Sequence, residues 1–130
     1  MTNPTQPPLT RVMSREAPAP GGHYSQAIVA GGTVYVSGQL GVLRGQDPSR
    51  SLREQTLFAL ASIEAILKPA GCDRTRVAKT TLYISDIAGW DEVNAAYADF
   101  FGDHRPARSV VPTGPLHFGA KVEIEAIAVI

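Results

Sequence analysis

The chain has 130 residues, 44% of them apolar and 18% charged, which is enough for one domain around one core and too apolar for a disordered chain. Twelve lysines and arginines balance twelve aspartates and glutamates, so the chain lacks the positive field that phosphate backbones demand, and nucleic acid is not an expected partner. The one cysteine, Cys72, excludes an internal disulfide and a thiolate metal cluster.

The proline-rich start, residues 1–16, reads as a loose tail, with order setting in between Thr10 and Tyr24 and a single domain spanning 17–130. It has no apolar stretch of signal-peptide length, and the chain nowhere has a run of membrane-spanning length, so no membrane partner and a reducing cytoplasm are expected. "SQAIVAGGTVYVSGQLGV" predicts two short strands, about 26–30 and 33–37, joined by Gly31-Gly32, a tight-hairpin signal. "SLREQTLFALASIEAILKPAG" predicts a helix opened by a Ser51/Glu54 capping box and closed near Lys68 by Pro69 and Gly71, with Leu57, Leu60, Ala61 and Leu67 on its core face. "RVAKTTLYISDI" alternates like a strand. "GWDEVNAAYADFFGD" predicts a second helix with Val93, Ala96, Tyr97 and Phe100 inward and Gly102 just past its end.

Two more strands are expected around 107–111 and 121–130. The order ββαβαββ indicates an α+β fold, a single sheet with both helices on one face. In the last strand Val122, Ile124, Ala126, Ala128 and Ile130 point one way, Glu123, Glu125, Ile127 and Val129 the other. Two helices cannot cover both faces, so Ile127 and Val129 would meet water in a monomer, and a homo-oligomer is expected.

Arg108 is the leading functional candidate. Its guanidinium fork matches a carboxylate through two parallel bonds, and Ala107 and Ser109 leave room beside it. Glu123 and Glu125 share a strand face at roughly 7 Å, close enough to divide acid and base roles or to pair with Lys121 or Arg108. Ion pairing suits Glu125 better, and Glu123 is the functional choice. Tyr24 and Ser37 bracket the hairpin and either could donate to a substrate, or serve the turn alone. His23, His104 and His117 have no metal-ligand spacing, so no metal is expected, and Cys72 reads as inert. No hydrolase elbow or phosphate cradle is present.

The segments "APAPGGHYSQAI", "VYVSGQLGV", "KTTLYISDI", "VNAAYADFF", "PARSVV" and "VEIEAIAV" resemble, in order and spacing, the reactive intermediate deaminase family (Rid, also called YjgF). The resemblance covers about residues 17–130. It implies a chorismate-mutase-like fold and a homotrimer with an active site in each cleft between subunits. It also implies hydrolysis of 2-imino acids such as 2-iminopropanoate and 2-iminobutanoate to 2-oxo acids and ammonia, without cofactor. By the same resemblance Arg108 holds the substrate carboxylate, Glu123 orients a water, and Tyr24 and Ser37 shape the pocket. Many members carry cysteine where this chain has Val110, whose backbone N–H and C=O could still meet a ligand. Arg105, His23 and "LHFG" also depart from the usual pattern, and bear on specificity. The alternatives are a related hydrolase of a larger catabolic enamine or amide, and a non-catalytic carboxylate-binding or chaperone-like trimer.

Overall fold

A computed structural model describes residues 5–130. Six strands form one mixed sheet: β1 Leu9–Val12, β2 Ala27–Ala30, β3 Thr33–Leu40, β4 Val77–Ile84, β5 Ala107–Pro112 and β6 Val122–Val129. Their spatial order is β1-β2-β3-β6-β4-β5, with only the β4–β5 pair parallel. Two helices, α1 Leu52–Leu67 and α2 Trp90–Phe101, pack on one face. The architecture is the expected one with an additional N-terminal strand.

That strand lies inside the segment expected to be loose; the first four residues of that segment fall outside the described residues. β1 pairs antiparallel with β2, yet only Val12 of its four residues is buried. An edge strand this exposed leaves little apolar pattern to read. Behind it the buried Gln26 fixes the chain: its Oε1 accepts from the Ser14 N–H (2.6 Å), and its amide donates to the carbonyls of Ser14 (3.1 Å) and Pro18 (3.0 Å).

The predicted hairpin forms. Ala30 faces Thr33, and Gly31 and Gly32 both take positive φ (55° and 81°), the type I′ geometry that matches strand twist. Ser51 caps α1, its Oγ accepting from the Glu54 N–H (3.1 Å). Beyond Leu67, Pro69 tightens the chain into a 3₁₀ turn and Gly71 reverses it at φ 78°.

The core face of α1 is rotated from the expected one. Leu60 and Leu67 are buried, but Ala61 is exposed and Leu57 only half-buried, while Gln55, Thr56 and Ser62 are buried. Each buried polar group is satisfied locally. Gln55 donates to the carbonyls of Pro48 (3.2 Å) and Arg50 (3.1 Å) and accepts from the Lys121 N–H (2.8 Å). Thr56 and Ser62 donate back to the carbonyls of Leu52 and Phe58. Polar residues bonded in this way occupy core positions that a hydrophobic pattern assigns to solvent. In α2 the buried stripe is Val93, Ala96, Tyr97 and Phe101; Phe100 packs at its margin. Leu60, Ile66 and Leu67 are wholly buried, each stabilising the fold by about 1.5–3 kcal/mol.

β6 alternates as expected: Val122, Ile124, Ala126 and Ala128 are buried under the helices. Ile130 departs from that set, lying past the strand end and exposed. On the other face Val129 and Tyr35 are exposed, and Tyr35 pairs directly with Ile127. Apolar side chains therefore crowd the middle of a sheet face that no element among the described residues covers.

Candidate active site

The register of β3 against β6 slips between Val36 and Gln39, placing a bulge at Ser37-Gly38. The bulge opens the sheet beside Glu123. A Cβ on residue 38 would stand 3.0 Å from Cδ and 3.1 Å from Oε2 of Glu123, so glycine here is what gives the carboxyl group its space. Ser37 ties the bulge down: its hydroxyl donates to the Ser25 carbonyl (2.6 Å) and its N–H to the Gln26 carbonyl (2.9 Å). Across the opening Tyr24 stands half-exposed, its hydroxyl accepting from the Gly21 N–H (3.0 Å). Tyr24, Ser37 and Glu123 line one cleft of about 730 Å³, with Tyr83, His117 and Glu125 on its other walls.

Burial first, and the Glu125 carboxylate second, hold the Glu123 carboxyl above the ordinary glutamate range, while His117 opposes them. Glu125 is differently placed. It accepts a 2.6 Å hydrogen bond from the Tyr83 hydroxyl, a bond that pushes the phenol up. Two carboxylates on one strand face thus have unlike surroundings. The expected partners of Glu125 are elsewhere: Lys121 Nζ donates to the Arg50 carbonyl (2.8 Å), and Arg108 turns toward α2. The register of β4, which sets Tyr83 opposite Glu123, supplies the tyrosine instead.

Arg108 stands opposite Thr80 in the parallel β4–β5 register, on the helix-covered side. Its Nη1 donates to Asn94 Oδ1 (2.9 Å), and its guanidinium lies 4.8 Å from the Tyr97 ring centroid and 5.5 Å from that of Trp90. Tyr97 is fixed in turn by a buried 2.7 Å bond to Thr80 Oγ1. The arginine opens onto a separate cleft of about 510 Å³ shared with His104 and Arg105. One chain therefore does not bring Arg108 to Glu123; the two project from opposite faces of the sheet. β5 is an edge strand. The Thr113 N–H donates inward to the Ile84 carbonyl (2.8 Å), so alternation along the strand turns the backbone groups of Val110 and Arg108 to the free edge.

Among the described residues no three His, Cys, Asp or Glu side chains gather as a metal site, and no helix is long and apolar enough to cross a membrane. Cys72 is buried, and burial pushes its thiol up.

The sequence model of the family described as Endoribonuclease L-PSP matches residues 14–130. The chain belongs to this family. It is the Rid/YjgF family of the resemblance, and its curated relatives include the human 2-iminobutanoate/2-iminopropanoate deaminase, 42% identical over 93% of this chain and 90% of that one. Among solved structures, the conserved Rid-family protein YyfA from Yersinia pestis superposes with a TM-score of 0.88 at 37% identity, over 95% of this chain and all of the other. Escherichia coli TdcF, solved with bound serine, gives 0.86 at 32% identity, over 93% and 98%.

Gly38, Tyr83 and Asn94, which shape the candidate site, have no sequence signal of their own, whereas the "LHFG" segment does. Gly38 reads as a strand terminator, and only the β3–β6 register shows it clearing space for Glu123. Tyr83 and Asn94 act across strand or helix pairings that sequence spacing does not reveal. His117 and Phe118 belong to a 3₁₀ turn in which Phe118 takes φ 61°, a left-handed conformation uncommon outside glycine.

Proposed function

We propose that the chain is a hydrolytic deaminase of reactive 2-imino and enamine acids, converting 2-iminopropanoate and 2-iminobutanoate to 2-oxo acids and ammonia. The setting of Glu123 carries the reading: a half-buried carboxyl, its pKa raised by burial and by Glu125, in an open cleft with space kept by Gly38. A carboxylate with a raised pKa is a stronger base than an ordinary glutamate and can take a proton from a bound water. The likeness to named deaminases supplies the substrate class.

The active unit is a homotrimer in which Arg108 of one protomer reaches the Glu123 cleft of the next. Three features support this: Arg108 and Glu123 lie on opposite faces of one sheet, the open face is apolar, and β5 ends the sheet with a free edge. Arg108 grips the substrate carboxylate as a fork, steadied by Asn94 and Tyr97, and the outward N–H of Val110 is placed to join it. Holding the imine carbon against a Glu123-bound water makes the attack effectively unimolecular. Water adds its oxygen to that carbon, and Glu123 moves the two water protons in turn from oxygen to nitrogen. The C–N bond then breaks with its electron pair leaving on ammonia as the carbonyl closes. Tyr24 closes one wall, and Ser37 keeps the bulge in place.

Neither metal nor cofactor has a part in these steps. Two carboxylates in the cleft and a net charge of zero disfavour an RNA phosphodiester, despite the family's description. A reducing compartment such as the cytoplasm suits the free thiol of Cys72. The test is a coupled assay in which an amino-acid oxidase generates the imine. Wild type should speed its loss, Arg108→Ala and Glu123→Gln should abolish the gain, and wild type indistinguishable from buffer across several imino acids would overturn the proposal.

A further inference from the structure

The Glu123 cleft has a second lobe. Glu123, Tyr24, Gly38, Leu40 and Phe118 border both lobes, placing the carboxyl group at their junction. The first lobe carries Glu125 and Tyr83 and is acidic. The second, about 290 Å³, is lined by Pro18, Ala19 and Leu43, by Gln26 and Gln39, and by the exposed Arg44. Among the described residues Arg44 has no carboxylate partner; its guanidinium lies 5.0 Å from the centroid of the Phe118 ring. Phe118 presents that ring from a left-handed turn, at φ 61°. A lobe with apolar walls and a guanidinium that has no carboxylate partner among its lining residues is complementary to a short carbon chain ending in an anion.

We propose that this lobe is the side-chain subsite and that Arg44 makes the enzyme accept acidic 2-imino acids, dicarboxylates of the 2-iminoglutarate class, beyond the small monocarboxylates. The placement rests on the deaminase reading, which fixes the α-carboxylate on Arg108 and the imine carbon at Glu123. From that junction the side chain has two ways to go. The lobe with Glu125 repels an anion and the lobe with Arg44 attracts one.

The experiment compares kcat/KM for 2-iminoglutarate with that for 2-iminopentanoate, an uncharged chain of equal length, both generated by amino-acid oxidases. Arg44→Gln should lower the ratio by about 10- to 100-fold, the worth of a hydrogen bond to an ionised group. Arg44→Lys should recover part of it, keeping the charge and losing the fork. A ratio unchanged in Arg44→Gln overturns the subsite. Calorimetry with 2-oxoglutarate and 2-oxopentanoate separates the two readings. If no imine is turned over, the deaminase reading falls, and selective weakening of 2-oxoglutarate by Arg44→Gln still upholds the subsite. Equal effects on both ligands overturn it.

Discussion

Gly38→Ala is the smallest change that reaches the proposed catalytic carboxyl. The new methyl would stand 3.0 Å from Cδ, 3.1 Å from Oε2 and 3.2 Å from Cγ of Glu123. Carbon atoms in ordinary contact keep about 3.5–4.0 Å, so the carboxyl group must retreat by roughly half an ångström. Gly38 is not among the glycines with positive φ, so the main chain accepts alanine and the strain falls on the Glu123 side chain. A displacement of 1 Å costs about 100-fold where orientation carries the rate, which puts half of that near 10-fold in kcat/KM. The far end of a half-buried side chain can yield, so the stability cost stays below the roughly 1–3 kcal/mol of core overpacking. The measurement is the coupled imine assay beside a thermal melt. Pairing Gly38→Ala with Glu123→Asp gives the internal control, because the shorter side chain withdraws from the methyl and the two losses should not multiply. A Gly38→Ala enzyme as active as wild type would refute the reasoning, since Glu123 would then hold no position that matters.

Four further predictions rest on other contacts. As the proposed base, Glu123 would work deprotonated, so activity should fall as pH drops through its raised pKa; Glu125→Gln should move that limb to lower pH and His117→Asn to higher pH in a pH-rate profile. The same raised pKa means the charged form costs stability at neutral pH, so Glu123→Gln should melt higher than wild type at pH 7 while turning over nothing. Thr80→Val leaves the buried Tyr97 hydroxyl without its partner and should cost about 1–3 kcal/mol by denaturant titration, with Tyr97→Phe in the same chain returning part of it. Arg74 holds Glu64 through both oxygens and stacks 3.9 Å from the Phe100 centroid; the pair is partly exposed, so Glu64→Gln should cost about 1 kcal/mol near neutral pH. Its bond to Arg74 holds the Glu64 carboxyl below the usual range, so that difference should vanish only as pH falls through this lowered value.

What the sequence reveals here is whatever repeats along one element. The alternation of β6 separates Val122, Ile124, Ala126 and Ala128 from Glu123 and Glu125, and Gly31-Gly32 announces its turn, because each signal needs only neighbours in the chain. The face of α1 departs from its hydrophobic pattern because Gln55, Thr56 and Ser62 are buried by hydrogen bonds whose partners lie in loops or on the preceding turn. β1 is not legible in the sequence because a strand buried at one residue in four has almost no pattern. The site divides the same way. Arg108 and Glu123 are chemically conspicuous wherever they fall. Gly38 and Tyr83 gain their roles only from the registers of β3 and β4 against β6, which no local spacing encodes.

The placement of Arg108 and Glu123 on opposite faces also bears on why the fold leaves a sheet face bare. Covering that face with a third helix would complete a monomeric core and close the lobe that brings Glu123, Glu125 and Tyr83 together. Left open, its apolar middle, Tyr35, Ile127 and Val129, can be buried only by another molecule, while its acidic end remains a cleft. In the proposed trimer one burial event therefore delivers both stability and the missing cation. Ile127→Asp tests that coupling, because a charge amid apolar contacts cannot be buried unpaired. Sedimentation should show the trimer dissociating, and imine hydrolysis should fall with the trimer fraction. A folded Ile127→Asp monomer that keeps its activity would mean that one chain assembles the site alone, against the geometry of its own sheet.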